Sequence, residues 1–451
     1  MARTTLLHRL WNIPREELRT TVALAVYVFI LLSSYYVLKT VREALILAEN
    51  GAAVKVYAGA IQAAVLIGVV PLYSALANRL PRVRLIAAVL AFFAAVLVAF
   101  AIAGQFGARI GVPFFLWIGV FNVFAIAQFW SFAADLFDEK DGLRVFPFIG
   151  VGATLGGWLG SVAAKHLFST WDPYAIVWLA AVALAACVPL TYLISRDRSM
   201  EPEREKSKVP LASIDGLRLI FGDRYLRLIA AVVVLLNICS TTGEYIFGSI
   251  VADHAKALVA AGKNDGLTEK QIIGTIYAGM FSWVNALGLL FQLVLVPVVF
   301  QRAGLGAALF ILPMVVLAGY SFVAIVPALG IARFMRVLES SISYSLQTTT
   351  NNGLFLATAR EAKYKAKVAI DTVFWRLGDV LSAGLVYVGA SLLSLSRSGF
   401  AVANVAIACV WTAVAAALFR EYGRRGRTVE VKCQERRKHY VEETDDTVAH
   451  C

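Results

Sequence analysis

Residues 85–104 read LIAAVLAFFAAVLVAFAIAG, and apolar runs of this length recur along nearly the whole chain. A helix of about 20 apolar residues crosses a hydrocarbon layer roughly 30 Å thick. Only helices and closed barrels can satisfy their backbone polar groups there. Barrel strands alternate apolar and polar residues, and these runs do not. Composition agrees: 16% of the 451 residues are charged, against roughly 25% in soluble domains. Mean hydropathy is +0.71. The chain is therefore read as an all-α, multi-pass membrane protein.

Hydropathy over windows of about 19 residues places spans near 21–48, 52–76, 84–104, 112–136, 146–168 and 174–195. A charged stretch follows, SRDRSMEPEREKSKVPLASIDGLRL. Six further spans fall near 223–251, 268–299, 303–326, 328–356, 366–395 and 398–420. The expected domains are an N-terminal six-helix bundle over 1–195, with an interfacial segment at its start, and a linker over 196–222. A C-terminal six-helix bundle over 223–420 and a disordered tail over 421–451 follow. Twelve transmembrane helices in a 6+6 pseudo-symmetric arrangement are the major-facilitator plan. A weak internal match agrees with it: Arg144–Gly157 aligns without gaps to Lys365–Gly378.

Arginine and lysine cluster in the N-terminus, in the loop at 79–84, in the linker and at 424–437. All fall on one side of an even-numbered topology, so linker and both termini are expected in the cytoplasm. The same pattern accounts for the net charge of +12 through contact with the lipid bilayer, and nucleic acid is not expected as a partner. The five cysteines have no metal or disulfide spacing. The glycine run GVGATLGGWLG lacks a preceding strand and the lysine of a phosphate-binding loop. It suits close helix packing through small residues four apart. With no catalytic constellation, cofactor motif or metal-ligand spacing, the chain is not read as an enzyme, and a monomer is expected.

Charges inside apolar spans are costly and mark pathways. Span 1 carries Lys39, Arg42 and Glu43 in YYVLKTVREALIL. Lys39 lies about 26 Å beyond Val22 at 1.5 Å per residue, and the apolar sequence resumes after the charges. The spacing allows Lys39 and Glu43 to pair four residues apart, with Arg42 alongside. Gln128 lies mid-span 4, and Glu244 lies deep in span 7. Span 10 carries Arg333, Arg336 and Glu339, followed by the polar run SSISYSLQTTTNNG. Span 11 carries Asp371, Arg376 and Asp379. The candidate substrate-binding residues are thus Lys39, Arg42, Glu43, Gln128, Glu244, Arg333, Arg336, Asp371, Arg376 and Asp379.

Three blocks resemble one family. SYYVLKTVREALIL with VKVYAGAIQAAVLIGVVPLYSALANRLPR is similar to the first helix pair of the bacterial and plastid ATP/ADP antiporters. These nucleotide translocases are a branch of the major-facilitator class. FNVFAIAQFWSFAADLFDEKDGLRVFPFIGVGATLGGWLGS resembles their fourth and fifth spans. NNGLFLATAREAKYKAKVAIDTVFWRLGDVLSAG resembles their tenth-to-eleventh connection. The resemblance implies that Lys39, Arg42 and Glu43 occupy the family's charged first-helix motif, and that Glu244 is its seventh-span glutamate. Gln128 stands where the family tends to have glutamate, and Asp379 where it tends to have lysine.

These readings converge on a secondary transporter of the bacterial inner membrane, working by alternating access. The expected substrate is a small anion, a nucleotide exchanged as in ATP/ADP antiport or a related phosphorylated compound. Tyr35, Tyr36, Trp130, Tyr245 and Trp375 are available to stack on a base, with packing between helices the favoured alternative for them. One rival is a proton-coupled transporter using Asp135, Glu244, Asp371 and Asp379. The other is a transporter-derived sensor or scaffold that recruits partners through its charged tail.

Overall fold

The computed structural model describes residues 14–77, 79–197, 214–358 and 360–448, and these contain helices and no strand. Ten of the helices are long and apolar enough to cross a membrane. The first, α1 (Arg15–Ala77), has 63 residues and is broken at Gly51, where φ is 81° and ψ 174°. That backbone region is open essentially to glycine alone. The break folds the chain back. In a straight helix Glu43 and Lys55 would lie about 18 Å apart, yet their side chains form an ion pair.

The helices α2 (Arg82–Gln105), α3 (Gly111–Asp135), α4 (Glu139–Phe168) and α5 (Pro173–Asp197) follow. α1 packs against α3, α4 and α5, and α2 packs against α5. The α1–α4 contact is set by glycines four apart. A β-carbon on Gly152 would lie 2.5 Å from the Ala25 carbonyl oxygen, and one on Gly156 would lie 2.6 Å from that of Phe29. A β-carbon on Gly160 would lie 2.6 Å from Ser33 Cα. Small residues let the two backbones touch, as expected from the glycine run.

Of the linker expected at 196–222, residues 198–213 lie outside the described residues. Its end forms a short helix, α6 (Ile214–Gly222), packed against α13 (Arg360–Ala369). The second half comprises α7 (Arg224–Ala260), α8 (Glu269–Leu290), α9 (Val296–Arg302), α10 (Gly304–Ile325), α11 (Leu329–Ile342), α12 (Thr348–Leu354), α14 (Trp375–Tyr387) and α15 (Arg397–Val448). The span expected at 328–356 is not among the ten apolar helices. It is built from α11, a π turn over Ser343–Gln347 and α12, and serine, threonine and asparagine fill its centre.

α15 continues as helix to Val448, across residues expected to be disordered. Elsewhere, large apolar side chains including Phe92, Leu293, Phe322 and Val402 are exposed. Such outer faces suit lipid rather than water. The two sets of helices meet where α1 contacts α7, α8 and α14, and where α4 contacts α8.

Candidate functional site

The first stretch of α1 places Lys39, Arg42 and Glu43 on one face, while Leu38, Val41 and Leu45 are fully buried around them. After the break at Gly51 the chain returns and presents Lys55 to that face. The side chains of Lys55 and Glu43 are only 7% and 2% exposed. Arg42 Nη2 donates to Glu43 Oε1 at 2.5 Å. Lys55 Nζ pairs with Glu43 Oε2 and with Glu244 Oε1 from α7. Glu244 also accepts from the Tyr277 hydroxyl at 3.0 Å and, at its other oxygen, from Arg336 Nε at 2.9 Å. Arg336 reaches Glu339 at 3.1 Å, and the Tyr320 hydroxyl donates to Glu339 at 2.8 Å. One continuous network of ion pairs therefore joins α1 to α7 and α11.

This network walls a cavity of about 310 Å³. Lys39, Arg42, Glu43, Lys55, Glu244 and Arg336 line it, and so do Arg376 and Asp379. Arg376 Nη1 donates to Asp379 at 3.0 Å, and Asn237 Nδ2 donates to the other Asp379 oxygen at 3.1 Å. Lys39, like Arg42 and Lys55, lies over aromatic rings. Its ammonium lies 4.3 Å from the Phe281 ring centre and 5.3 Å from that of Tyr36. Among the described residues it pairs with no carboxylate. Aromatic faces hold a cation without neutralising it. Phe115, Tyr344 and Trp375 complete the wall. Tyr344 sits in one π turn, and Trp375 and Arg376 follow another over Ile370–Phe374. Such turns interrupt a helix and re-aim its side chains.

Seven of the ten candidate residues meet at this cavity: Lys39, Arg42, Glu43, Glu244, Arg336, Arg376 and Asp379. The other three lie elsewhere. Gln128 is buried within the first half and donates to the Tyr73 hydroxyl at 2.9 Å. Arg333 lies against Gly279 and lines a separate crevice with Trp283 and Phe334. Asp371 is half-exposed and pairs with Lys367 at 3.4 Å. The expected Lys39–Glu43 pair does not form. Glu43 turns to Arg42 and Lys55, because the fold-back at Gly51 brings a second cation closer than the helix spacing does.

Of the five aromatic residues considered for stacking, only Trp375 lines the cavity directly. Tyr36 supports Lys39, and Tyr35 packs on Tyr36. Trp130 packs between Phe129 and Phe146, and Tyr245 against Phe400. The residue that sequence inspection passed over is Lys55, within GAAVKVYAG. A lone lysine in an apolar span was a signal of its own. Among the described residues no three His, Cys, Asp or Glu side chains cluster as metal ligands would.

The family model described as TLC ATP/ADP transporter matches residues 2–103. That segment carries Lys39, Arg42, Glu43 and Lys55, and over it the resemblance read from the sequence is borne out. No curated protein matches the chain. Among solved structures, the POT family transporter PepTSo superposes with a TM-score of 0.65 at 13% identity, covering 91% of this chain and 98% of its own. A point mutant of the nucleoside transporter NupG gives 0.63 at 13% identity, covering 89% and 100%. A bacterial homologue of the iron transporter ferroportin, inward-facing, gives 0.62 at 13%, covering 90% and 98%. At such identities the likeness is one of fold, a multi-helix fold that this chain shares with those three proteins.

Proposed function

We propose that the protein is a secondary transporter that moves a nucleotide or related phosphorylated anion by alternating access. The observation that carries this reading is the cavity where the two sets of helices meet, lined by five cations and three carboxylates. Guanidinium groups suit bidentate contact with phosphate, and an ammonium acts as a point charge. Lys39, with rings around it and no carboxylate partner, is the group most ready to receive an anion.

The chain crosses the membrane twelve times on this reading. Within α1 the stretch Glu17–Ala77 has 61 residues, about 90 Å of straight helix, and supplies two crossings through the break at Gly51. The polar segment α11–α12 supplies another, with Ser341, Ser345, Gln347 and Thr350 buried in the protein. The bundles at 1–195 and 223–420 then rock about the cavity, with both termini in the cytoplasm of a bacterial cell. Of the four carboxylates of the proton-coupled alternative, Asp135 pairs with Arg82 at 3.0 Å and Asp371 with Lys367, both away from the cavity, whereas Glu244 and Asp379 line it, each already paired with a cation.

The test is binding and uptake by purified protein in proteoliposomes with controlled internal contents. Lys39→Ala should lower affinity for phosphorylated compounds at least roughly tenfold, the worth of one charged contact, with little change in melting temperature. Normal nucleotide and phosphate binding by that variant overturns the anion reading.

A further inference from the structure

Resting on the proposed anion transport, we infer that the preferred substrate is a phosphomonoester dianion, and that free di- and triphosphates are disfavoured. The charges around the cavity carry the inference. With every group in its ordinary charge state, Lys39, Arg42, Lys55, Arg336 and Arg376 face Glu43, Glu244 and Asp379, a surplus of two positive charges. Glu339, buried behind Arg336 and bonded to it, reduces that surplus to one. Four of the five cations are already committed. Arg42 holds Glu43, Lys55 bridges Glu43 and Glu244, Arg336 bridges Glu244 and Glu339, and Arg376 holds Asp379. Only Lys39 enters with its charge unspent on a carboxylate.

A phosphomonoester carries between about −1.5 and −2 near neutral pH, because its second pKa is about 6. Added to the surplus of one, it leaves the site about 0.5–1 charge negative, the smallest deficit among mono-, di- and triphosphates. Each further phosphate adds negative charge beyond what the five cations lining the cavity among the described residues offset. Burying an unpaired charge in a low-dielectric interior is strongly disfavoured. Glu43, Glu244 and Asp379 stand in the wall and would repel an extended polyphosphate. The volume points the same way: about 310 Å³ is at the lower end of the roughly 300–1,000 Å³ of small-molecule sites. The rings of Phe115, Phe281 and Trp375 then contact the organic part of the ester.

The experiment is a binding series on the full chain in lipid nanodiscs, with chelator present so that no divalent ion masks phosphate charge. The probes are adenosine, inorganic phosphate, AMP, ADP and ATP. The expected order is AMP first, with affinity falling roughly tenfold or more for each added phosphate. Inorganic phosphate equal to AMP would keep the dianion and remove the organic contacts. Tighter binding of ADP or ATP than of AMP refutes the inference while leaving the anion reading in place. Equal binding of adenosine and all four anions, or no binding of any of them, refutes the anion reading itself. Asp379→Asn, which releases Arg376, should move the preference toward ADP over AMP by roughly tenfold, the effect of one close added charge. Glu43→Gln is the second variant and should shift the preference the same way. If both variants keep the wild-type ratio, charge matching does not set selectivity.

Discussion

Replacing Lys55 with methionine tests the ion-pair network at the point where it crosses between the two sets of helices. The two carboxylates that Lys55 bridges have side chains 2% and 18% exposed, and its own is 7% exposed. Removing one partner from a buried pair costs about 3–5 kcal/mol, because the remaining charge stays buried and unpaired. Here neither carboxylate is stranded: Glu43 keeps Arg42, and Glu244 keeps Arg336 and Tyr277. The expected loss is therefore smaller, about 2–3 kcal/mol. Methionine preserves most of the side-chain volume, so packing contributes little to the change.

Equilibrium unfolding in a defined detergent should be measured for Lys55→Met, Glu43→Gln and the double variant. Residues in one ion-pair network couple by about 0.5–3 kcal/mol, and Glu43→Gln should recover at least about 1 kcal/mol of the Lys55→Met loss. Transport should fall in Lys55→Met and remain low in the double variant, since the link from α1 to α7 is absent in both. A coupling below about 0.3 kcal/mol, the additivity expected of independent sites, would show that Lys55 and Glu43 do not share a network. The account of how the halves are joined at the cavity would then fail.

Two further outcomes follow from the packing. Gly156→Val should destabilise the protein by about 1–3 kcal/mol, the usual effect of overpacking, because its β-carbon would press on the Phe29 carbonyl. Gly150→Ala meets nothing within 4 Å and should be neutral or mildly stabilising in the same melting assay. Just before the break in α1, Lys270 Nζ pairs with Glu49 at 2.7 Å and donates to the Tyr174 hydroxyl at 2.7 Å, tying α8 to α1 and α5. Gln62 also lines the cavity, and in a cysteine-free background carrying Gln62→Cys, Lys270→Met should speed its labelling by an impermeant reagent added on the side of that contact. Unchanged labelling would mean that the contact does not hold the cavity closed.

Sequence alone determined the membrane-spanning, all-helical character of this chain, because the length and polarity of a span are local properties matched against a layer of given thickness. It also placed Lys39, Arg42 and Glu43 on one helical face, since residues three and four apart align whatever surrounds them. The glycine stripe of α4 was legible for the same reason. Tertiary structure decided which charges meet. Gln128, Arg333 and Asp371 are as polar and as deep in the sequence pattern as Glu244 or Arg336, yet they face away from the cavity. A helix's rotation about its own axis is set by what it packs against, here by contacts such as Gly156 on Phe29, and no spacing rule within one helix contains it. Lys55 shows the same limit: its partners are 12 and 189 residues distant in the chain. The turn at Gly51 brings it to the first, and the packing of α1 on α7 brings it to the second.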